Sequence, residues 1–240
     1  MDWRDEGMIL AVRPLGENGV ILDAFTPTHG RHSGLVRGGT GRKLRPVLQP
    51  GNQVELEWRA RLEDHLGNYR VELLQSRTGL MGDRLTLAGL GAVCALLVFA
   101  LPERLETPRL YHETQALLRS MALGDGAWVA QYARWELLIL EDTGFGLDLG
   151  TCAATGTDDD LIYVSPKSGR AVSAGAGAPY AAQMLPLSPV LSGAAGDPRS
   201  QRDALRTTGH FLSRWLAPAQ GDRPVPAARG RFIDLIERRK

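Results

Sequence analysis

Val54-Glu55-Leu56-Glu57-Trp58-Arg59 alternates apolar and charged residues without a break, and Tyr69-Arg70-Val71-Glu72-Leu73 repeats the pattern further on. Successive side chains of a strand point to opposite faces, so this period of two predicts two half-buried strands. Trp58 falls on the apolar phase and is expected in a core. Upstream lie three short apolar runs, Met8–Val12, Val20–Phe25 and Ser33–Arg37. Turn residues separate the five: Gly16 with Asn18-Gly19, Thr26-Pro27 with Gly30, Pro50-Gly51-Asn52, and Gly67-Asn68. Five short strands in the first 80 residues predict a small barrel, with a fragment of a β-sandwich as the other arrangement.

From about Met81 the period becomes helical. Leu85–Leu101 is a run of 17 uncharged residues containing Gly89 and Gly91. A membrane span needs about 20, so a buried helix is expected. Leu110, Thr114, Leu117 and Met121 share one face of a helix over Pro108–Met121, and Trp128, Tyr132, Trp135 and Ile139 one face over Trp128–Asp142, which Gly144 ends. Residues 145–198 are rich in Gly, Ala, Ser and Pro and carry Asp158-Asp159-Asp160. They fit a flexible linker or a small irregular subdomain, with a short strand at Leu161–Val164 and a turn at Ser165–Gly169. Helix returns over Ser200–Leu216, where Leu205, Leu212 and Trp215 face inward. Pro224 and Pro226 precede a last helix, Phe232–Arg239.

The chain has 240 residues, 43% hydrophobic and 23% charged, an ordinary globular composition that excludes a disordered or collagenous chain. Cys94 and Cys152 sit in unlike surroundings, so no disulfide framework is expected and a reducing, cytoplasmic setting is. The charged opening Met1–Glu6 does not read as a secretory signal. Gly38-Gly39-Thr40-Gly41-Arg42-Lys43-Leu44 only approximates a phosphate-binding loop, because Arg42 separates the glycine from the lysine and Leu44 cannot ligate magnesium. His29, His32, His65, His112 and His210 are scattered, and His29 and His32 read as surface residues near a turn. No catalytic residues and no cofactor are expected.

The net charge of +1, from 28 basic and 27 acidic residues, argues at first against a nucleic-acid binder. It is unevenly spread: +1 over residues 1–80, −6 over 81–198 and +6 over 199–240. Between His29 and Arg61, Arg31, Arg37, Arg42, Lys43, Arg45, Arg59 and Arg61 face only Glu55 and Glu57. The distribution carries information that the sum hides.

The succession of motifs is more specific than any one of them. Gly7-Met8-Ile9-Leu10-Ala11-Val12-Arg13-Pro14-Leu15-Gly16-Glu17 runs on to His29-Gly30-Arg31, Val36-Arg37-Gly38, Gly41-Arg42-Lys43 and Leu48-Gln49-Pro50. Arg134-Trp135-Glu136-Leu137-Leu138-Ile139-Leu140-Glu141-Asp142-Thr143-Gly144-Phe145 and Ala228-Arg229-Gly230-Arg231-Phe232 follow in order. The chain thus resembles the RecO family of bacterial DNA-repair proteins.

The resemblance implies an α+β protein: an N-terminal five-stranded OB-fold over residues 1–80, then a helical domain over 81–240 that includes the irregular region 145–198. It implies a recombination mediator that binds single- and double-stranded DNA and anneals complementary strands. The implied partners are RecR, possibly RecF, the tail of the single-stranded-DNA-binding protein and, indirectly, RecA. An OB-fold RNA-binding module is the other function in view.

The sequence departs from the family at zinc. Where many members have two Cys-x-x-Cys pairs, it has Cys152, Thr155, Ser173 and Ala176, so a metal-free subdomain is expected. DNA contact is assigned to Arg13, Arg31, Arg37, Arg42, Lys43, Arg45, Arg59 and Arg61. The glycines around Thr40 let the backbone approach phosphates, and base stacking is not expected. Arg202, Arg206, Arg214, Arg229 and Arg231, with Arg238 and Arg239, form a candidate second DNA surface or simply solvated helix faces. Arg134 is assigned the carboxylate of the partner tail, against a salt bridge to Glu136 or Asp142.

Overall fold

The computed structural model describes residues 1–62, 64–124 and 126–238. The chain forms two compact units, Met1–Leu118 with Pro226–Phe232, and Arg119–Val225 with Ile233–Lys240.

In the first unit, β1 (Asp2–Leu15), β2 (Gly19–Thr26), β3 (Gly30–Val36), β4 (Gln53–Arg59) and β5 (Asn68–Gln75) close a barrel in the order β1-β2-β3-β5-β4. The first half of β1 pairs with β4 (Asp2↔Arg59 to Met8↔Gln53) and the second half with β2 (Met8↔Phe25 to Leu15↔Gly19). The register shifts between Ile9 and Ala11, where the strand passes from one partner to the other. This closed order with a shared first strand is the OB-fold.

β1 begins six residues before the apolar run at Met8. Its first residues escape an apolar pattern because half-buried Trp3 and Asp5 alternate with exposed Asp2, Arg4 and Glu6. Arg4 forms an ion pair with Glu55 on the adjacent strand. The barrel core holds Ile9, Leu22, Val54, Leu56, Trp58, Tyr69 and Val71, with Trp58 buried as its phase predicts. Each such aliphatic side chain is stabilising by about 1.5–3 kcal/mol through removal from water.

A short helical turn (Thr78–Met81) leads to α1 (Arg84–Ala100). Asp83 caps α1 by accepting from the N–H groups of Leu85 and Thr86, both at 2.9 Å. The helix packs on β1, bringing Cys94 Sγ within 4.0 Å of the Ile9 carbonyl. Burial pushes the Cys94 thiol up to about 12, leaving it an inert apolar filler. No helix among the described residues is long and apolar enough to cross a membrane. The start of α2 (Pro108–Leu123) is tied to the barrel: Gln53 Nε2 donates to the Tyr111 hydroxyl (2.6 Å) and Arg77 Nη2 to Gln115 Oε1 (2.8 Å).

In the second unit, α3 (Trp128–Asp142) buries Trp128, Tyr132, Trp135 and Ile139 as their spacing predicts. The irregular region contains a small antiparallel sheet of β6 (Leu161–Val164), β7 (Ala171–Ser173) and β8 (Leu185–Pro186), with one turn of helix, α4 (Ala174–Gly177), after β7. The region thus contains regular elements within the second unit. α5 (Pro198–Phe211) starts behind Asp197, whose side chain accepts from Ser200 N–H at 2.7 Å. A π turn at Leu212–Leu216 leads into α6 (Ala217–Ala219). The last helix, α7 (Ala227–Glu237), begins directly after Pro226, earlier than the apolar residue Phe232 suggests.

Candidate nucleic-acid interface

The segment between β3 and β4 carries the densest cationic cluster and is built as two successive turns. Leu44 and Arg45 N–H groups donate to the Gly41 carbonyl (3.1 and 3.0 Å), and Leu48 N–H donates to the Leu44 carbonyl (2.8 Å). Leu44 and Val47 pack against the barrel core, and Leu48 is part of it. The segment is thus anchored from beneath by leucines and valine, beside the glycines around Thr40. Arg37, Arg42, Lys43 and Arg45 are exposed, and no described carboxylate lies within ion-pairing distance of them. Arg42 and Arg45 line a depression of about 390 Å³ with Pro46, Gln49, Thr78 and Met81. Arg59 and Arg61 are likewise exposed without such a partner among the described residues. Arg59 pairs with Asn68, which pairs with Leu35, so the end of β4 and the chain leading to Arg37 adjoin across β5.

Two of the eight assigned residues are engaged inside the protein. Arg31 Nε donates to the Leu101 carbonyl (2.9 Å) and its Nη1 lies 3.4 Å from Glu103 Oε1. It clasps the segment after α1 to β3, and only 15% of its side chain is exposed. Arg13 Nη2 reaches both oxygens of Asp23 (3.4 and 3.3 Å), a buried carboxylate that also accepts from Ser33 Oγ at 2.5 Å. Arg13 remains 62% exposed, so its outer edge is still available.

A second feature of the barrel has no counterpart in the sequence reading. Trp3 stacks on His29 (centroids 4.0 Å, 12° between planes) and lies nearly parallel to Trp58 at 5.9 Å. His32 meets both tryptophans edge-on, at 5.1 and 5.0 Å. These rings line a recess of about 470 Å³ whose rim includes Asp2, Arg104 and Glu106. His29, hydrogen-bonded through Nδ1 to Asp5 Oδ2 at 3.1 Å, is partly exposed, but His32 is buried, contrary to the surface position its turn context suggests. Desolvation, helped by the nearby Arg104 cation, lowers the His32 pKa to about 4, so its ring is neutral at pH 7.

The other assigned residues are distributed between the units. Arg202, Arg206 and Arg214 belong to the second unit, Arg229 and Arg231 to the first, and Arg239 lies outside the described residues. Arg206, Arg214 and Arg231 are exposed, whereas Arg202 and Arg229 are half-buried. Arg134 Nη1 donates to the carbonyls of Val190 (3.2 Å) and Ala194 (3.1 Å), holding the end of a short helical turn. These partners are backbone groups, and Glu136, one of the two carboxylates read as an alternative partner, accepts from Thr208 Oγ1 at 2.5 Å.

Cys152 and Ser173 come together: the thiol donates to Ser173 Oγ (3.4 Å), and Ser173 N–H donates to the sulfur (3.3 Å). Among the described residues no three of His, Cys, Asp and Glu converge in a way that could hold a metal.

An OB barrel bearing exposed cations and continuing into a helical unit has the form of a nucleic-acid-associated protein with no metal centre among its described residues. Residues 1–77 match the family Recombination protein O N terminal, and residues 81–224 match Recombination protein O C terminal. A protein of Ruegeria sp. (strain TM1040) named DNA repair protein RecO is 56% identical over 100% of both chains. Proteins of the same name from Roseobacter denitrificans and Cereibacter sphaeroides are 53% and 52% identical, over 100% and 99% of both chains respectively. The chain belongs to the RecO family, whose members serve DNA repair and recombination.

Proposed function

We propose that this chain is a recombination mediator that binds single- and double-stranded DNA through the phosphate backbone and anneals complementary strands. With RecR, and with RecF as a further partner, it helps to load RecA onto single strands coated by the single-stranded-DNA-binding protein, in the cytoplasm at the nucleoid. The observation that carries this reading is the cluster Arg37, Arg42, Lys43 and Arg45 on an anchored turn, exposed and without a described carboxylate partner. Such cations displace condensed counterions from a strand without reading its sequence. Arg59, Arg61 and the outer edge of Arg13 extend the same surface, whereas Arg31 acts from within. Family membership favours DNA over RNA as the ligand.

Arg202, Arg206 and Arg214 of the second unit and, separately, Arg229 and Arg231 of the first are proposed as further DNA contacts, which suits holding two strands at once. Arg134 uses one nitrogen for the Val190 and Ala194 carbonyls, and a guanidinium has five N–H donors. The remaining donors are proposed to receive the carboxylate of the partner tail. No bond-making step is required, and no cofactor.

Titration of single strands over a range of salt tests the electrostatic core of this proposal. With roughly four to six phosphates neutralised, log affinity should fall with log salt at a slope of about −3 to −4. An affinity independent of salt would remove it. Annealing of complementary strands coated with the single-stranded-DNA-binding protein tests the activity directly: pairing no faster than without this protein would exclude a mediator role.

A further inference from the structure

We propose that the depression beside the cationic turn seats one deoxyribose of a bound strand and rejects ribose there, so that this chain selects DNA over RNA by the sugar. This rests on the DNA-binding reading above and gives that surface a specificity that phosphate contacts alone lack. The depression, of about 390 Å³, lies between the turn carrying Arg42, Arg45, Pro46 and Gln49 and the short helical turn carrying Thr78 and Met81. Its edge is cationic and the rest of its lining is almost wholly apolar. Arg42, Arg45, Pro46 and Thr78 are exposed, so these walls are open to a ligand.

The polar atoms that a sugar hydroxyl would need are engaged elsewhere. Gln49 Nε2 donates to the Arg45 carbonyl at 2.7 Å. Thr78 Oγ1 accepts from Ser76 Oγ at 3.1 Å, and the Thr78 N–H donates to the same Ser76 oxygen at 3.3 Å. Pro46 has no N–H, and the thioether of Met81 is a weak acceptor. At C2′ a deoxyribose carries a methylene where ribose carries a hydroxyl. Held against this floor, that hydroxyl gives up water without gaining a partner, which costs free energy. The cations choose the polymer. Arg42, Lys43 and Arg45 follow one another on the turn, Arg37 precedes them, and no described carboxylate lies within ion-pairing distance. Such a row suits successive phosphates, whereas a lone peptide carboxylate would occupy only part of it.

The two walls are fixed to each other by one side chain. Asn52 Nδ2 donates to the Pro46 and Val47 carbonyls (3.2 and 2.9 Å), and its Oδ1 accepts from the Arg77 N–H at 2.8 Å. Asn52 is fully buried, so water does not compete for these bonds. Leu80, between Thr78 and Met81, is buried too, and its carbonyl accepts from Thr86 Oγ1 at 2.7 Å. The first wall thus hangs on the barrel through Leu44, Val47 and Leu48, and the second on the start of α1. Walls set in advance cost a ligand little ordering entropy.

Fluorescence anisotropy with oligodeoxyuridylate and oligouridylate of equal length tests the proposal, because base and charge are the same and only the 2′ position differs. The full chain should prefer the deoxy strand by about tenfold, within the range by which an apolar pocket rejects one added hydroxyl. A 2′-fluoro strand, which keeps the ribose pucker without the hydroxyl, should bind like the deoxy strand. Met81→Gln, which offers the hydroxyl a partner, should remove most of the preference with the salt slope unchanged, and Met81→Leu should keep it. Thr78 is exposed, so Thr78→Gln decides the matter if Met81→Gln fails to fold. Equal affinity of the unaltered chain for deoxy and ribo strands, with the salt slope intact, overturns the sugar site, leaves the electrostatic reading standing and returns the depression to a carboxylate-bearing peptide. A 2′-fluoro strand bound as weakly as the ribo strand also overturns it, since pucker is then what the surface reads. An undiminished preference in Thr78→Gln does the same. Absence of binding to every strand overturns both readings.

Discussion

Arg31 and Arg42 lie 11 residues apart and are the same residue type, yet the barrel uses them in opposite ways. Arg31 sits on β3 and spends its donors on the Leu101 carbonyl and Glu103. Arg42 sits on the turn after β3, above Leu44, Val47 and Leu48, and points into solvent with no described ion-pair partner. The first is part of what holds the fold, the second part of what the fold displays. A count of basic residues measures charge, whereas availability depends on carbonyls and carboxylates brought up from elsewhere in the chain.

The sharpest way to probe the interior half of this comparison is acid. His32 is 3% exposed and its pKa is lowered to about 4, from an ordinary value near 6.5. Between those values the unfolded chain binds a proton that the native chain refuses. Stability should therefore be full above pH 6.5 and fall as the pH drops toward 4, by about 3 kcal/mol. Denaturant midpoints of the unaltered chain and His32→Phe measured across that range isolate the effect from that of the carboxylates; parallel curves would contradict it.

On the exterior side, replacing Arg42, Lys43 and Arg45 together by Ala should weaken single-strand binding by roughly a hundredfold at 0.1 M salt and reduce the salt slope by about 2. The melting temperature should not move, because none of the three is engaged in an ion pair among the described residues. A large loss of stability would mean that the two halves of the comparison are not distinct.

Arg31→Ala should behave in reverse. It leaves the Leu101 carbonyl without its donor and should destabilise the protein by about 1–3 kcal/mol in urea unfolding, with the salt slope retained. A change of slope with unchanged stability would return Arg31 to the surface set. Arg13→Ala tests the intermediate case. Its guanidinium is 62% exposed but faces the buried Asp23, which keeps the Ser33 hydroxyl as a donor, so truncation should destabilise by about 1 kcal/mol, and one phosphate contact changes the slope by about 0.7. Equilibrium unfolding and the same titration read both quantities.

Much of the fold was legible because alternation and helical spacing are local. β4, β5, α3 and the core position of Trp58 follow directly from them. The start of β1 was hidden because Trp3 and Asp5 alternate with charges, so no apolar run marks it. The cationic turn was legible as charge, while its anchoring by Leu44, Val47 and Leu48 was not, since those residues declare themselves only once the barrel lies beneath them. The internal use of Arg31 and the recess around Trp3 depend on contacts across tens of residues: Arg31 meets Leu101, and Trp3 meets Trp58. Trp3, within the alternating opening of the chain, is the signal that the sequence offers for the recess.

The shared strand β1 also has a consequence for the order of assembly. Its second half pairs with β2 across a tight turn, and β2 with β3, so three strands form through local contacts. Its first half must wait for β4, about 50 residues downstream, and β3 meets β5 at the single pair Leu35↔Asn68. Loop-closure entropy opposes these distant pairings before any contact repays it, which places barrel closure late. Pulse-labelled hydrogen exchange during refolding should protect β2 and β3 amides before those of residues 2–7; simultaneous protection would show closure in one concerted step.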